Sequence, residues 1–288
     1  MQNLYHQAKQ KRKFVPVDLE IHKWEDILPF FEQLLHEQIS TYQESEQWLI
    51  NRSELEAVIE EEMAWLYIRM SCDTQNEEYS SAFNFFVEHI EPHIAEFSNK
   101  LDDRVLKFIE KDLIDTHKFH LLIRSLKNRH SLFRKDNIPI LSELQRMEQE
   151  YGSIASKMTV TIHEKEYTLQ QAALFLKETD RGLREEVYGA IHSRRLEDET
   201  ALNTLLSKLI EKRHQCAINA GFENYRDYKL QDLGRFDYTK EDCFAFHTSI
   251  QQTIPSAVKE IHEKRKKSLK LSVLKPWDLD VDPENKPP

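Results

Sequence analysis

The sequence is short of glycine, of paired cysteines and of long apolar runs. Only 5 of its 288 residues are glycine, against a usual share of about 7%. A sheet protein of this length needs many tight turns, and tight turns draw on glycine. The scarcity therefore argues against a mostly β architecture and predicts long helices joined by few loops. Apolar residues make up 40% of the chain, which is enough for a substantial core.

The three cysteines, Cys72, Cys216 and Cys243, are odd in number and include no CxxC pair. This pattern argues against a disulfide framework or a cysteine zinc site, and it suits a reducing compartment. The N-terminus lacks the apolar core of a signal peptide. No stretch approaches the roughly 18 apolar residues that a membrane span requires. We therefore expect a soluble cytoplasmic protein with no membrane partner.

The formal net charge of −10 argues against nucleic acid as a partner, because binding of phosphates needs a basic surface. Two basic runs, at residues 9–13 and 264–267, are local exceptions. Runs of this length are usually solvated helix faces or chain termini. We expect no nucleic acid partner.

Apolar residues recur at three- and four-residue steps through much of the first 150 residues, which predicts a stack of antiparallel helices. Ser53 and Glu56 form a capping-box pattern, so one of these helices is predicted to begin there. Further helical runs follow at 180–197 and 198–220, and Gly221 is expected to end the second of them.

A last long helix is predicted to begin after Thr239 and to run toward Leu271. Thr239 and Asp242 sit at the spacing of another N-terminal cap. Pro255 lies inside this run, where proline removes a backbone donor, so it is expected to kink or break the helix.

One stretch departs from the helical period. Residues 159–168, T-V-T-I-H-E-K-E-Y-T, alternate β-branched and polar side chains, which predicts a short β-hairpin. Thr168 and Gln171 then supply a capping box, so the hairpin should lead directly into a helix. The predicted fold class is mostly α, a multi-helix array with one short β-hairpin near 159–168.

Common catalytic motifs are missing from the sequence. It contains no HExxH, no G-x-S-x-G and no glycine-rich phosphate loop. His89 and His93 stand four apart, but Ile90 occupies the place of the general-base glutamate in a zinc peptidase helix. Pro92 also disfavours an unbroken helix through the pair. These residues alone indicate no active site.

The most informative region runs from Ala220 to Thr239, and reads A-G-F-E-N-Y-R-D-Y and then L-G-R-F-D-Y-T. It resembles the A-G-F-x-N-Y-R-D-Y…R-F-D-Y-T signature of oligoendopeptidase F-like zinc metallopeptidases, which are relatives of thimet oligopeptidase. A D-R-x-x-R element at Asp180 and a P-W-D element at Pro276 resemble family elements in the same order. One departure is the hairpin turn, where the family commonly has glycine and this chain has H-E-K-E at 163–166.

The resemblance implies the N-terminal part of a two-lobed helical peptidase with a central channel that admits short unstructured peptides. In the family, zinc is held by the two histidines of HExxH and by a glutamate of a later helix. The glutamate within HExxH activates a zinc-bound water. All of these lie beyond the P-W-D element. Zinc is therefore implied for the full-length enzyme, and no metal or catalytic residue is expected in this chain.

The resemblance also implies a division into three parts. Residues 1–135 would form an N-terminal helical lobe, residues 136–200 an oligopeptidase F-type segment with the hairpin, and residues 201–288 the start of the catalytic domain. The candidates for lining the substrate channel are Tyr225, Tyr228, Arg235, Phe236 and Tyr238. Aromatic residues at loop–helix junctions more often pack than bind, and packing is the favoured alternative for them.

Two functions follow as hypotheses. The first is the N-terminal portion of a zinc-dependent oligoendopeptidase that hydrolyses internal bonds of short unstructured peptides, inactive alone and completed by a missing C-terminal half. The alternative is a non-catalytic helical module, derived from the same family, that binds peptides or a protein.

The end of the sequence carries an acidic ladder. Asp278, Asp280 and Asp282 match the first three ligand positions of a calcium-binding loop, but Pro283 stands where that loop needs glycine. We interpret the ladder as the connector to a zinc-bearing half.

Overall fold

The computed structural model describes residues 12–284. Its α-helices are α1 Leu28–His36, α2 Tyr42–Cys72, α3 Glu77–Phe85, α4 Glu91–Glu110, α5 His120–Leu132, α6 Asn137–Ser156, α7 Leu169–Ala173, α8 Arg181–Glu197, α9 Glu199–Asn219, α10 Tyr225–Asp232 and α11 Lys240–Ser268. Strands β1 Thr159–Ile162 and β2 Lys165–Thr168 pair antiparallel. The predicted helical array with one hairpin is confirmed. Within this part of the chain, no helix has both the length and the apolarity needed to cross a bilayer.

The described chain divides into two compact units. The first takes in the residues up to Gln149 together with Leu209–Arg235, and the second takes in Glu150–Lys208 together with the residues from Phe236 onward. Helices α6 and α9 each contribute to both units. The division into three parts, with boundaries after residues 135 and 200, stays a prediction.

The core of the first unit is built around Trp48, whose side chain is fully buried. Its indole Nε1 donates a hydrogen bond of 2.8 Å to the Leu34 carbonyl at the end of α1. A buried indole needs such an acceptor, because an unpaired N–H is costly away from water. The Phe108 ring of α4 meets the indole edge-on at 5.2 Å. These contacts fix α1, α2 and α4 against one another.

A buried carboxylate, Asp102 of α4, joins three helices of the first unit. Its side chain is 1% exposed, and Arg52 of α2 donates to it at 2.6 Å. Arg129 of α5 donates two hydrogen bonds of 2.8 Å to the same group. Removing one partner from such a pair leaves an uncompensated buried charge. The pairing of α2, α4 and α5 is therefore specified by charge as well as by apolar contact.

The predicted helix start at Ser53 is wrong. Helix α2 begins at Tyr42, where the Thr41 side chain accepts the first capping bond, so Ser53 lies in its interior. The Glu54 carboxylate instead accepts three backbone N–H groups of residues 13–15 at 2.7–2.9 Å. Burial raises the pKa of Glu54, but these three donors outweigh it and hold the pKa below its usual range. Glu54, which lies within the capping-box pattern, therefore binds backbone 40 residues earlier in the chain.

The second unit has its apolar core under the hairpin. Val160 and Ile162 of β1 point into this core and pack with Leu169, Val187 and Ile191. Helix α8 supplies Val187 and Ile191, so it covers the buried face of the sheet. The other face of β1 and β2 is polar, as the alternation of the sequence predicts.

The hairpin turn is made without glycine. His163 has φ of 49° and Glu164 has φ of 65°, which is the pair of left-handed conformations that a two-residue type I′ turn requires. Residues with a Cβ atom adopt this conformation at a cost of roughly 1–2 kcal/mol each. The chain keeps the turn geometry despite the departure from the family's glycine.

Helix α9 ends at the predicted glycine. Gly221 has φ of 89°, and its N–H donates to the Ile218 carbonyl at 2.9 Å. The Phe222 N–H donates to the Ala217 carbonyl, also at 2.9 Å. This pair of bonds closes the last turn of the helix, and the positive φ explains why glycine is used there.

Two predicted helix starts are confirmed, and a break at Pro255 is not observed. Thr168 caps α7 and Thr239 caps α11, each by accepting from the backbone N–H three residues later. Helix α11 continues through Pro255 without a break.

A small polar cluster in the first unit is only half satisfied. Gln145 of α6 donates to the Glu91 Oε1 at 2.9 Å. The Glu91 Oε2 and the Gln145 Oε1 are both buried and accept no hydrogen bond from the residues described. Burial raises the pKa of Glu91, and the hydrogen bond from Gln145 only partly opposes this. A proton on Glu91 would turn one of the two orphaned acceptors into a donor.

We predict that Glu91→Gln removes one source of pH dependence from the free energy of unfolding. Because the pKa of folded Glu91 is raised above its ordinary value of 4.5, its stabilising contribution is complete below that value. It is lost as pH rises through the folded pKa. Glutamine cannot ionise, so the variant should gain in unfolding free energy relative to wild type as pH rises above 4.5. Urea unfolding followed by circular dichroism at several pH values measures this.

The matched control is Glu88→Gln, because the Glu88 side chain is exposed beside Arg146. The difference between its free energy of unfolding and that of wild type should not change with pH over the same range. The prediction would be contradicted if the free energies of unfolding of wild type and Glu91→Gln changed with pH in parallel.

Candidate functional site

The aromatic signature residues of the first unit form a packed cluster. Tyr228 of α10 is only 7% exposed, with the Phe222 ring at 5.6 Å and the Tyr225 ring at 6.0 Å. Burial, followed by the nearby Asp232 carboxylate, raises the pKa of Tyr228 to about 12. The phenol is therefore protonated at neutral pH, and its ring serves in packing.

The turn that carries this cluster is clamped by residues that the sequence did not reveal. Arg134 donates hydrogen bonds of 3.1 Å to the carbonyls of Asn219 and Ala220. The Asn137 amide donates to the Cys216 carbonyl at 3.0 Å. The Asn219 and Ala220 carbonyls lie at and just beyond the last residue of α9, where helix carbonyls lack partners within the helix, and Arg134 supplies donors for them. The Cys216 carbonyl also accepts from the Ala220 N–H at 3.1 Å, so the Asn137 amide is its second donor. No local pattern around Arg134 or Asn137 marks this role, since their partners lie about 80 residues later.

The five channel candidates do not all fall in one unit. Tyr225, Tyr228 and Arg235 belong to the first unit, and Phe236 and Tyr238 begin the second. Arg235 is exposed, Phe236 is half-buried and Tyr238 is 39% exposed. The lining of a substrate channel by these residues stays a prediction.

The second unit brings two motif elements together at Asp278. The Asp278 carboxylate is fully buried. Arg181 of α8 donates two hydrogen bonds to it, at 2.9 and 3.0 Å. Arg184 of the same helix donates a third, at 3.0 Å, and the Lys275 N–H a fourth, at 2.9 Å. The D-R-x-x-R and P-W-D elements are therefore the two sides of one ion cluster, which we call the Asp278 clasp.

The clasp also holds the neighbouring backbone. Arg184 donates through Nε to the Trp277 carbonyl at 2.9 Å, and Arg265 of α11 donates to the Val281 carbonyl at 2.6 Å. The segment after α11 is thus tied to both α8 and α11 within the second unit. The opposite charges of the two motifs were the signal for this contact in the sequence.

The electrostatics of the clasp favour an ionised carboxylate. Burial raises the pKa of Asp278, but the bonds from Arg181, the Lys275 amide and Arg184 outweigh it, and its pKa lies below the ordinary value. The hydrogen bond to Asp278 correspondingly raises the pKa of Arg181. With its oxygens occupied by cationic donors, Asp278 cannot serve as the first ligand of a calcium loop.

The histidine pair does not form a metal site. His93 stacks on the Trp24 ring at 5.1 Å, and His89 lies against the Phe85 ring at 4.8 Å. The chain stays helical through this pair, because the π-helical turn Phe86–Ile90 joins α3 directly to α4. Pro92 lies in the first turn of α4, so the expected interruption at this proline is wrong. Across residues 12–284, no three histidine, cysteine, aspartate or glutamate side chains are grouped to hold a metal ion.

Two family models match two separate stretches of the chain. The Peptidase M3 N-terminal domain matches residues 14–133, and Peptidase family M3 matches residues 174–286. The chain belongs to peptidase family M3. Both the arginine side and the aspartate side of the clasp lie inside the second M3 match. No curated protein matches this chain.

Solved structures share the M3 fold of this chain. An oligoendopeptidase F from Bacillus anthracis str. Ames has a TM-score of 0.83 at 19% identity, covering 94% of this chain and 50% of its own. Pz peptidase A with an inhibitor has a TM-score of 0.82 at 20% identity, covering 96% and 48%. Oligoendopeptidase-F from Enterococcus faecium has a TM-score of 0.68 at 12% identity, covering 90% and 55%. At these identities the likeness establishes the fold, and this M3 chain spans about half the length of the structures it matches.

We predict that Asp278→Asn destabilises the second unit by about 3–5 kcal/mol, the usual cost of removing one partner from a buried ion cluster. The lowered pKa means that the wild-type contribution is present above the ordinary value of 3.8 and is lost as pH falls through the folded pKa. Urea unfolding at neutral pH measures the loss, and hydrogen exchange should show faster exchange over residues 275–282.

Asp280→Asn is the matched control, because Asp280 is exposed two residues further on. It should leave both readouts within error of wild type. Equal stability of the two variants would contradict a structural role for the clasp.

Proposed function

We propose that this chain forms the N-terminal half of a zinc-dependent oligoendopeptidase, which hydrolyses internal bonds of short unstructured peptides. The observation that carries the proposal is the pair of M3 matches, over residues 14–133 and 174–286, in a chain without HExxH. In this proposal the fold of the chain supplies helical walls for the peptide, and the chemistry belongs to a second half.

The residues that the structure describes do not fit a zinc ion. The chain has no HExxH, and the described residues offer no group of three suitable donors. Cys216 is buried, and burial raises the pKa of its thiol, so it is not a reactive thiolate. We therefore assign no step of peptide hydrolysis to these side chains, and we propose that the chain alone is inactive.

Helix α11 supports the idea of a second half. None of its 29 residues is buried. Ile250, Ile254, Val258 and Ile261 recur at helical spacing and are 39–59% exposed. An apolar stripe on a long helix is ordinarily packed against another element. A complementary polypeptide from the same family is the partner we propose for this stripe.

The remaining parts of the proposal rest on the family and the composition. Pz peptidase A and the oligoendopeptidase F structures share the fold, which supports peptides as substrates. The three cysteines are free, which supports a cytoplasmic location. The absence of a nucleic acid partner follows only from the acidic composition.

The test is a zinc and cleavage assay on the purified 288-residue chain. We expect no stoichiometric zinc by elemental analysis and no cleavage of an internally quenched fluorescent peptide, because the sequence has no HExxH and residues 12–284 hold no donor set for the metal. An M3 peptidase that contains HExxH, assayed alongside, is the positive control. Cleavage by the chain alone that a zinc chelator abolishes would overturn the proposal of inactivity.

The same assay separates the two hypotheses when a complementary half is added. Restored zinc binding and cleavage on adding an HExxH-bearing half supports the enzyme. Unchanged inactivity, with a stable monomer that binds peptides, favours the non-catalytic module.

A further inference from the structure

The outer edge of β2 carries backbone groups that do not pair with β1. The register pairs Ile162 with Lys165 next to the turn, and Thr161 with Glu166 one step further. A two-residue hairpin closes on a hydrogen-bonded pair, and bonded and non-bonded pairs then alternate. The pair at Glu166 is therefore the non-bonded one, so the Glu166 N–H and C=O point away from β1.

A pocket of about 530 Å³ opens along this edge. Its walls are β2 on one side and the 3-10 turn Leu174–Lys177 on the other. Its apolar surface comes from Tyr167, Phe175 and Leu174, with the first two rings edge-to-face at 5.2 Å. Leu174 is 60% exposed, so its side chain offers apolar surface to a ligand in the pocket.

The charges around the pocket are balanced. Lys165 and Lys177 contribute two cations, and Glu166 and Glu178 contribute two anions. The Glu166 carboxylate already accepts from the Thr159 hydroxyl at 2.6 Å. A balanced rim does not select a polyanion, which needs a surplus of lysine and arginine. It suits a ligand with little net charge that brings its own backbone donors and acceptors.

We propose that this groove binds a short extended peptide as a third strand beside β2, with an apolar side chain of the peptide resting on Leu174 and Phe175. An extended chain offers a carbonyl and an N–H at the spacing of the outward groups of Glu166, which is how peptides add to a free sheet edge. The four residues of β2 span about 13 Å, so the groove takes about four peptide residues. The choice of a peptide as ligand rests on the proposed function, and the binding itself does not require catalysis.

The test is fluorescence polarisation with one defined probe. The probe is a fluorescein-labelled peptide of alternating valine and threonine with capped ends, and the protein is the intact 288-residue chain without added zinc. Leu174→Asp should weaken binding by at least about tenfold, because it puts a charge where the apolar side chain rests. Leu196→Asp is the control, since Leu196 on α8 is 65% exposed and does not line the pocket.

A second arm tests the backbone contact without changing the protein. The same peptide with every backbone amide N-methylated has no N–H to donate to the outer edge of β2, so it should bind at least about tenfold more weakly. Equal affinity for wild type and Leu174→Asp, equal affinity for the two peptides, or no binding up to about 1 mM would each overturn the proposal. Because no zinc or second half is present, these outcomes are independent of whether the chain supports peptide hydrolysis.

Discussion

A carboxylate buried away from water must be met by cations, and this constraint organises both units of the chain. Asp102 in the first unit and Asp278 in the second are 1% and 0% exposed. Each is bound by two arginines, Arg52 and Arg129 in one case, Arg181 and Arg184 in the other. A misplaced helix in either unit would leave a buried charge unpaired, at a cost of several kcal/mol. The charge clusters therefore select one helical arrangement among many that apolar packing alone would allow.

The clasp at Asp278 also explains why two short motifs stand so far apart in the sequence. Its arginines lie at the start of α8, and its aspartate lies beyond α11. Through the clasp, the segment after α11 contacts α8, although α9, α10 and α11 lie between them in the sequence. In the enzyme that we propose, this fixed segment is the point from which a zinc-bearing half would continue. Chemistry and scaffold would then be divided between two stretches of polypeptide.

Local signals predicted much of the fold, and long-range contacts account for what they missed at the site. The hairpin, the caps at Thr168 and Thr239 and the end of α9 at Gly221 depend on neighbouring residues, and each was predicted. The capping pattern at Ser53 failed because the helix already begins at Tyr42, where Thr41 and Glu44 form its capping box. Glu56, the second member of the pattern, accepts instead from the Arg52 Nε at 2.8 Å. At the site the limit was distance along the chain: the signature was visible, but its clamp by Arg134 and the meeting of Arg181 with Asp278 depend on pairs about 80 to 100 residues apart.

The central claim, that this chain works as one half of an M3 peptidase, is tested most directly in the cell that makes it. An antibody against the chain would capture it from a native extract, and mass spectrometry would identify what it captures. The account predicts a polypeptide about twice as long as 288 residues, or a second polypeptide with HExxH that stays bound. The recovery of a 288-residue chain alone, with no HExxH-bearing polypeptide attached, would contradict it.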